Sequence, residues 1–282
     1  MSATTLSRAS SERVNQKSSE RMIFFHQIQK GNNMQQYFCE TPVEAGGTYI
    51  FTKEQAHHAR DVVRLENEQV RLVWQGRAFY AFCRKKDGVF LAEITEEDPK
   101  YNENKAEVIL ASALIRREKF ELVLQKATEL GVTRIIPFVS SRCVVREKPE
   151  KAQKVLARWN GIVREAAEQC KRNVIPEVTE TMSFEQLLKQ EAELKLAAYE
   201  NAYGSGESLS DLIAGQKSIL IVIGPEGGFS TAEVGRMEEA GFVPVTLGSR
   251  ILRAETAAIA SAAMISELSE QYFRNHAEED NA

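Results

Sequence analysis

The sequence predicts an α/β protein in two parts: a small, mostly β segment over 34–100 and a larger segment over 101–275 built on a parallel sheet. Three observations carry this expectation. Between Tyr37 and Glu97, short apolar runs are broken by turns such as Gln75-Gly76-Arg77 and Asp87-Gly88. From Val108 onward, β-rich runs alternate with stretches of helical period, an order that places helices on both faces of a parallel sheet. Two of the later strands run into glycine-containing loops followed at once by a helix start, and such strand ends are where α/β sheets bind small molecules.

Residues 1–33 are rich in Ser, Arg, Gln and Asn and read as a disordered leader or an extension from an upstream start codon, with Met34 opening the fold. Lys53 to Val63 has a helical pattern among the strands that include Arg71–Trp74, Ala78–Phe82 and Val89–Ile94. Asp98-Pro99 through Lys105 is polar and unpatterned and reads as a linker. Val108–Leu114 is β-rich. Lys119–Leu130 repeats apolar residues at Phe120, Val123, Leu124, Ala127 and Leu130 and is closed by Gly131, a helix with its stop signal. A strand over Thr133–Val139, a long helix over Glu150–Lys171 and a short one over Phe184–Glu191 follow. Strands over Leu194–Tyr199, Ser218–Ile223 and Val243–Leu247 then flank a helix over Thr231–Ala240. The helix over Glu255–Phe273 closes the fold, and 276–282 reads as a disordered tail.

Apolar residues are 43% and charged residues 27% of the 282, an ordinary globular balance. Two domains suit that length, since domains commonly run about 100–150 residues. The net charge of −4 excludes a generally basic nucleic-acid coat. It conceals an asymmetry: 15 basic residues face 9 acidic ones over 101–176, whereas 7 face 18 over 177–282. The middle stretch could meet phosphates, or simply be a solvated surface. No apolar run approaches the ~20 residues of a membrane span. Four scattered cysteines, without a Cys-x-x-Cys pair or a signal-peptide pattern, point to a cytoplasmic protein.

The chemistry concentrates in two segments. Ile221-Val-Ile-Gly-Pro-Glu-Gly-Gly-Phe-Ser230 runs from a buried strand through three glycines to a capping box at Ser230 and Glu233. It has neither the dinucleotide fingerprint nor the lysine of a phosphate loop, which argues against a nicotinamide oxidoreductase. Val245 to Ala258 repeats the theme and adds Arg250, Arg253, Glu255 and Thr256 within about two turns of chain. Charged groups so close to a buried strand and a helix start are rarely a structural device alone.

Gly224-Pro-Glu-Gly-Gly228 and Leu247-Gly-Ser-Arg-Ile-Leu-Arg-Ala-Glu-Thr-Ala-Ala258 together resemble the RsmE family of SPOUT methyltransferases, which methylate N3 of a uridine in 16S ribosomal RNA. Phe120–Val132, Ser140–Val145, Glu165–Pro176, Tyr37-Phe38, His57-His58 and Val62–Leu65 also match family blocks, so the resemblance runs from about Met34 to Leu268. It implies a PUA-like RNA-binding domain followed by a SPOUT domain with a trefoil-knotted sheet. It further implies bent S-adenosylmethionine held by Glu200, Ile223, Gly224, Glu226, Gly227, Leu247, Gly248, Ile251, Leu252 and Thr256. A homodimer, no metal, and a 16S rRNA substrate within the assembled 30S subunit complete the expectation. Gln36 departs from the arginine many relatives carry there, and Ser249 from a common proline.

On this resemblance, Arg253, Arg250 and Glu255 are the expected catalytic group. The arginines would stabilise O2 or O4 of the uracil as N3 loses its proton. Glu255 either takes that proton or orients an arginine, and the second is favoured because a carboxylate beside guanidiniums is a poor base. Gln169, Arg172, Arg116, Arg117, Arg142 and Arg64 are the expected RNA contacts. Tyr37 and Phe38 could stack a base but fit a core better, and His57 and His58 lack partners at metal-ligand spacing. Other readings are a ribose- or transfer-RNA-methylating relative and an RNA-binding protein that has lost catalysis; the intact loops and arginines oppose the latter.

Overall fold

The computed structural model describes residues 34–146, 149–200, 202 and 208–277. The leader over 1–33, Lys148 of the basic stretch and nearly all of the tail lie outside the described residues. The chain divides into two compact units between Pro99 and Lys100.

The first unit is a five-stranded sheet. Its strands are β1 (Gln35–Phe38), β2 (Thr48–Ile50), β3 (Gln69–Trp74), β4 (Arg77–Lys86) and β5 (Val89–Asp98), in the order β1-β3-β4-β5-β2. Only the β1–β3 pairing is parallel. Tyr37, Tyr49, Phe51, Leu72, Phe79 and Phe90 fill its core, so Tyr37 and Phe38, 2% and 7% exposed, are not base-stacking surfaces. Gln36 is likewise buried and accepts a 2.6 Å hydrogen bond from Arg71, whose Nε lies 2.8 Å from Asp98. Asp98, expected in a linker, therefore closes β5 and neutralises a buried arginine. The helix expected over Lys53–Val63 is α1 (Lys53–His57), opened by a Thr52–Gln55 capping box, continued by one wider π-type turn over His58–Val62. His58 Nδ1 and the Tyr37 hydroxyl lie 3.0 Å apart, while His57 Nδ1 is 2.8 Å from Asp61.

The second unit is a wholly parallel sheet. Its strands are β6 (Glu107–Ala113), β7 (Arg134–Val139), β8 (Glu177–Val178), β9 (Met182–Ser183), β10 (Leu194–Ala198), β11 (Ser218–Ile223) and β12 (Val243–Val245). They run in the order β12-β10-β11-β6-β7-β8, with β9 pairing β7. Alternate residues of the central strands serve opposite faces, as a period of two requires. Val108, Leu110, Ile219 and Ile221 meet α2 (Arg117–Glu129), α3 (Ala152–Gln169) and α7 (Ala254–Asn275). Ile109, Ala111, Leu220 and Val222 join the core of α4 (Phe184–Leu187) and α6 (Thr231–Glu239). A short α5 (Leu209–Ile213) precedes β11.

Three boundaries differ from the sequence expectation for visible reasons. The helix beginning at Phe184 ends at Leu187, its last fully buried residue, because Lys189 and Glu191 bring nothing to the core. Strand β12 stops at Val245 because Thr246 turns the chain: its hydroxyl donates to the Gly248 carbonyl (3.0 Å) and accepts from the Gly248 amide (3.3 Å). Residues Asn102 to Lys105 are fastened to the second unit rather than linking loosely. Glu103 there accepts from Arg172 and from the Asn173 and Val174 amides, and the Lys105 amide donates to Glu270.

Candidate active site

The carboxyl ends of three adjacent parallel strands, β12, β10 and β11, open into a cleft of about 460 Å³, within the usual range of small-molecule sites. Each strand ends in a loop that forms one wall. Tyr199 and Glu200 follow β10, Gly224–Phe229 follow β11, and Thr246–Arg253 follow β12 and lead into α7. The Tyr199 amide donates 2.9 Å to the Val245 carbonyl, so the first and third walls are joined by the ladder itself.

The glycines have specific reasons. Gly228 (φ +62°) closes a turn in which its amide donates 2.9 Å to Pro225, and a side chain there would meet the Glu200 carboxylate at 3.4 Å. At Gly224 a Cβ would come within 3.1 Å of the Phe229 ring, which is buried and stacked near Phe138 with 6.4 Å between centroids. Gly248 takes φ +113°, a backbone region that side chains disfavour, with nothing within 4 Å of where its Cβ would stand. A ligand can therefore lie close to bare backbone there.

Two charged residues outside the loops brace them. Arg142 Nη1 donates to the carbonyls of Gly227 (2.9 Å) and Phe229 (3.2 Å). Glu233, in the capping box of α6, accepts from the Ser141 amide at 2.9 Å as well as from Ser230. Burial opposes its ionisation, but those amide hydrogen bonds prevail and hold its carboxyl below the usual range.

The lining of the cleft includes three cations, Lys119, Arg250 and Arg253. Lys119 Nζ is 2.8 Å from Glu255 Oε1. The Lys119 ammonium, helped by the residue's own backbone amide and least by the charge of Arg253, holds the Glu255 carboxyl below its ordinary value despite desolvation. The side chain that pairs with Glu255 is thus a lysine, whereas the sequence reading gave it an arginine to orient.

Of the expected ligand-binding residues, Glu200, Ile223, Gly224, Glu226, Gly227, Leu247, Gly248, Ile251 and Leu252 all line this one cleft, with Arg250 and Arg253. Thr256 is exposed on the first turn of α7 and is not part of the lining. The expected RNA contacts fare less uniformly. Arg172 is 3% exposed, pairs with Glu103 at 2.5 Å and donates to the Thr128 and Val132 carbonyls, so it holds the fold together and cannot meet a phosphate. Arg117 is tied to Glu121, which Arg158 also grips. Arg142 is the brace already described, and Gln169 lies in a shallow groove beside Glu118, Glu121, Glu129 and Glu165. Arg116 and Arg64 are exposed.

Residues 102–266 match the RNA methyltransferase domain family. Ribosomal RNA small subunit methyltransferase E of Bacillus subtilis (strain 168) is 38% identical over 250 residues, covering 83% of this chain and 96% of that protein. The chain belongs to the ribosomal RNA small subunit methyltransferase E family. The relative from Mesomycoplasma hyopneumoniae (strain 232) is 37% identical over 213 residues, 75% of this chain and 90% of its own length. Among solved structures, the family member from Neisseria gonorrhoeae bound to S-adenosyl methionine superposes with a TM-score of 0.76 at 32% identity, covering 84% of this chain and 98% of that one.

In this chain, the sequence motifs led to the two glycine loops but passed over Lys119 as a cleft residue and Arg142 as a loop brace. Neither role has a local signal: one is set by the helix that follows β6, the strand beside β11, the other by a contact across 85 residues. No helix among the described residues is long and apolar enough to cross a membrane. No group of three His, Cys, Asp or Glu among them is placed to hold a metal ion.

Proposed function

We propose that this protein transfers a methyl group from S-adenosylmethionine to N3 of a uridine in 16S ribosomal RNA. The observation that carries this reading is the convergence of both glycine loops and three cations on one cleft at the ends of β12, β10 and β11. The residues present fit the methyl donor. Ile223, Leu247 and Leu252 offer apolar surface for a purine, and the open backbone at Gly248 admits close approach. Glu200 supplies an acceptor for ribose hydroxyls. Bound there, the donor's sulfonium supplies an electrophilic methyl carbon.

The protein's part is to position and to stabilise charge. Uridine N3–H is a weak imide acid, and its nitrogen becomes nucleophilic as that proton leaves to water. The electron pair left on N3 then forms the new bond to carbon while the methyl–sulfur bond breaks with its pair returning to sulfur. Arg253 and Arg250 stabilise the oxygens that carry the transient negative charge. Glu255, committed to Lys119 and ionised, is a poor base and does not take the proton. The reacting edge is the Watson–Crick edge, so the uridine is unpaired or flipped when it reacts.

The same reading treats the first unit as a PUA-like RNA-binding module with Arg64 as a contact, Arg116 as a contact on the second unit, and the 246–253 segment as part of the family's knot. It takes the enzyme as a cytoplasmic homodimer acting without metal on the assembled 30S subunit. The modest cationic surface supports the last point, because weak phosphate contact alone favours a structured target over naked RNA. The test is methyl transfer from labelled S-adenosylmethionine to 30S subunits lacking the modification, followed by nucleoside digestion and mass spectrometry. A 3-methyluridine peak that disappears with Arg253→Ala is expected; a different methylated nucleoside, or none, overturns the assignment.

A further inference from the structure

Lys119 stands in the first turn of α2, where an ammonium faces the positive end of the helix dipole and gains the helix nothing. Its charge is instead anchored 2.8 Å from Glu255, in the first turn of α7, so two helix starts are joined across the edge of the cleft. The Lys119 side chain keeps 32% of its surface exposed while the Glu255 side chain keeps 14%. The other carboxylate oxygen, Oε2, is buried without a hydrogen-bond partner among the described residues, so Lys119 is the side chain that holds this carboxylate. Lys119 lines the same cleft as Arg250 and Arg253, and neither arginine has an ion pair among the described residues. A cation fixed by a partly buried carboxylate is better defined than either arginine on its exposed loop, and fixed donors are the ones that stabilise developing charge without reorganising.

We propose that Lys119 is a catalytic residue of this methyl transfer, contacting a uracil carbonyl oxygen as N3 loses its proton, and that Glu255 is its positioning residue. The inference rests on the reading of the cleft given above. It makes the lysine a donor to the forming anion and leaves binding of the methyl donor to the loops after β10, β11 and β12.

The test uses the full chain in single-turnover transfer to 30S subunits lacking the modification, with S-adenosylmethionine affinity measured separately by calorimetry. Lys119→Ala should slow the transfer by about 100-fold, the loss typical of one donor to a developing oxyanion, with cofactor Kd changed less than about threefold. Its rate should also rise with pH over a range about one unit more alkaline, because the imide anion has lost a stabilising cation. Lys119→Arg should recover part of the loss. Glu255→Gln should slow transfer less than Lys119→Ala. The pair Lys119→Met with Glu255→Gln leaves no unpaired buried charge, so it should fold normally and still be slow. Lys119→Ala transferring within about threefold of the parent, or losing cofactor affinity more than about tenfold, would overturn the proposal. A parent enzyme that makes no 3-methyluridine fails the underlying assignment instead, and is distinguished by its own control.

Discussion

Arg142 separates two accounts of the same residue. As an RNA contact it would meet a phosphate; as placed here it braces the loop after β11 by donating to Gly227 and Phe229 at 2.9 and 3.2 Å, with its stem 3.4 Å from where a Gly227 Cβ would stand. The guanidinium is exposed, so each bond is worth about 1 kcal/mol net rather than the larger value of a buried charged pair. Arg142→Ala should then cost the ordered loop about 1–2 kcal/mol. If only the ordered loop binds S-adenosylmethionine and ordering is not favoured in the free parent, the apparent Kd rises as the competent fraction falls, by up to about 5- to 30-fold. Calorimetric titration of the variant with the cofactor alone, without RNA, reads this directly. The phosphate account predicts instead an unchanged cofactor Kd and a salt dependence of RNA binding flatter by about 0.7 in log–log slope. A cofactor Kd within about twofold of the parent, with that flatter slope, would refute the brace.

Three further outcomes follow from the same geometry. Glu103→Ala strands the buried Arg172 charge and should cost about 3–5 kcal/mol, lowering the melting temperature by roughly 6–20 °C for a unit of this size; replacing Glu103 and Arg172 together by Met should restore most of it. Glu233 has a folded-state pKa below the ordinary 4.5, so its stabilising contribution is present above that value and lost as pH falls below it. In urea titrations the gap between the parent and Glu233→Gln should therefore be widest near neutrality and shrink toward pH 3. Gly248→Val places a β-branched residue at φ +113° and should weaken cofactor binding at least about fivefold, the strain being about 1–3 kcal/mol, with far-ultraviolet circular dichroism unchanged; unaltered affinity would show that the 246–252 backbone is not a ligand wall.

The parts of this protein that could be read in its sequence are those whose cause is local. Strand and helix alternation follows from apolar spacing within each element, and the capping box at Ser230 and Glu233 lies three residues apart. The glycine loops were legible because Gly224, Gly228 and Gly248 mark backbone that a side chain would block or strain. What could not be read depends on partners far along the chain. Arg172 looks like a surface cation until Glu103, 69 residues earlier, is brought beside it. Lys119 looks like one more charge of a helix face until α7 delivers Glu255. Charge counting along the chain cannot distinguish a cation that is spent inside the fold from one held out to a ligand.

That distinction also explains how a chain with an acidic final third can work on a polyanion. Of the 15 basic residues over 101–176, five are engaged within the fold: Arg172 is buried, Arg117 and Arg158 share Glu121, Arg142 serves backbone carbonyls, and Lys119 answers Glu255. In the final third, Arg250 and Arg253 line the cleft and have no ion pair among the described residues. Lys119, Arg250 and Arg253 meet in one cleft, where the proposed reading puts the reacting base. On the proposed reading, selectivity comes from a target whose shape presents one unpaired uridine to that cleft, with phosphate contacts fixing register rather than sequence.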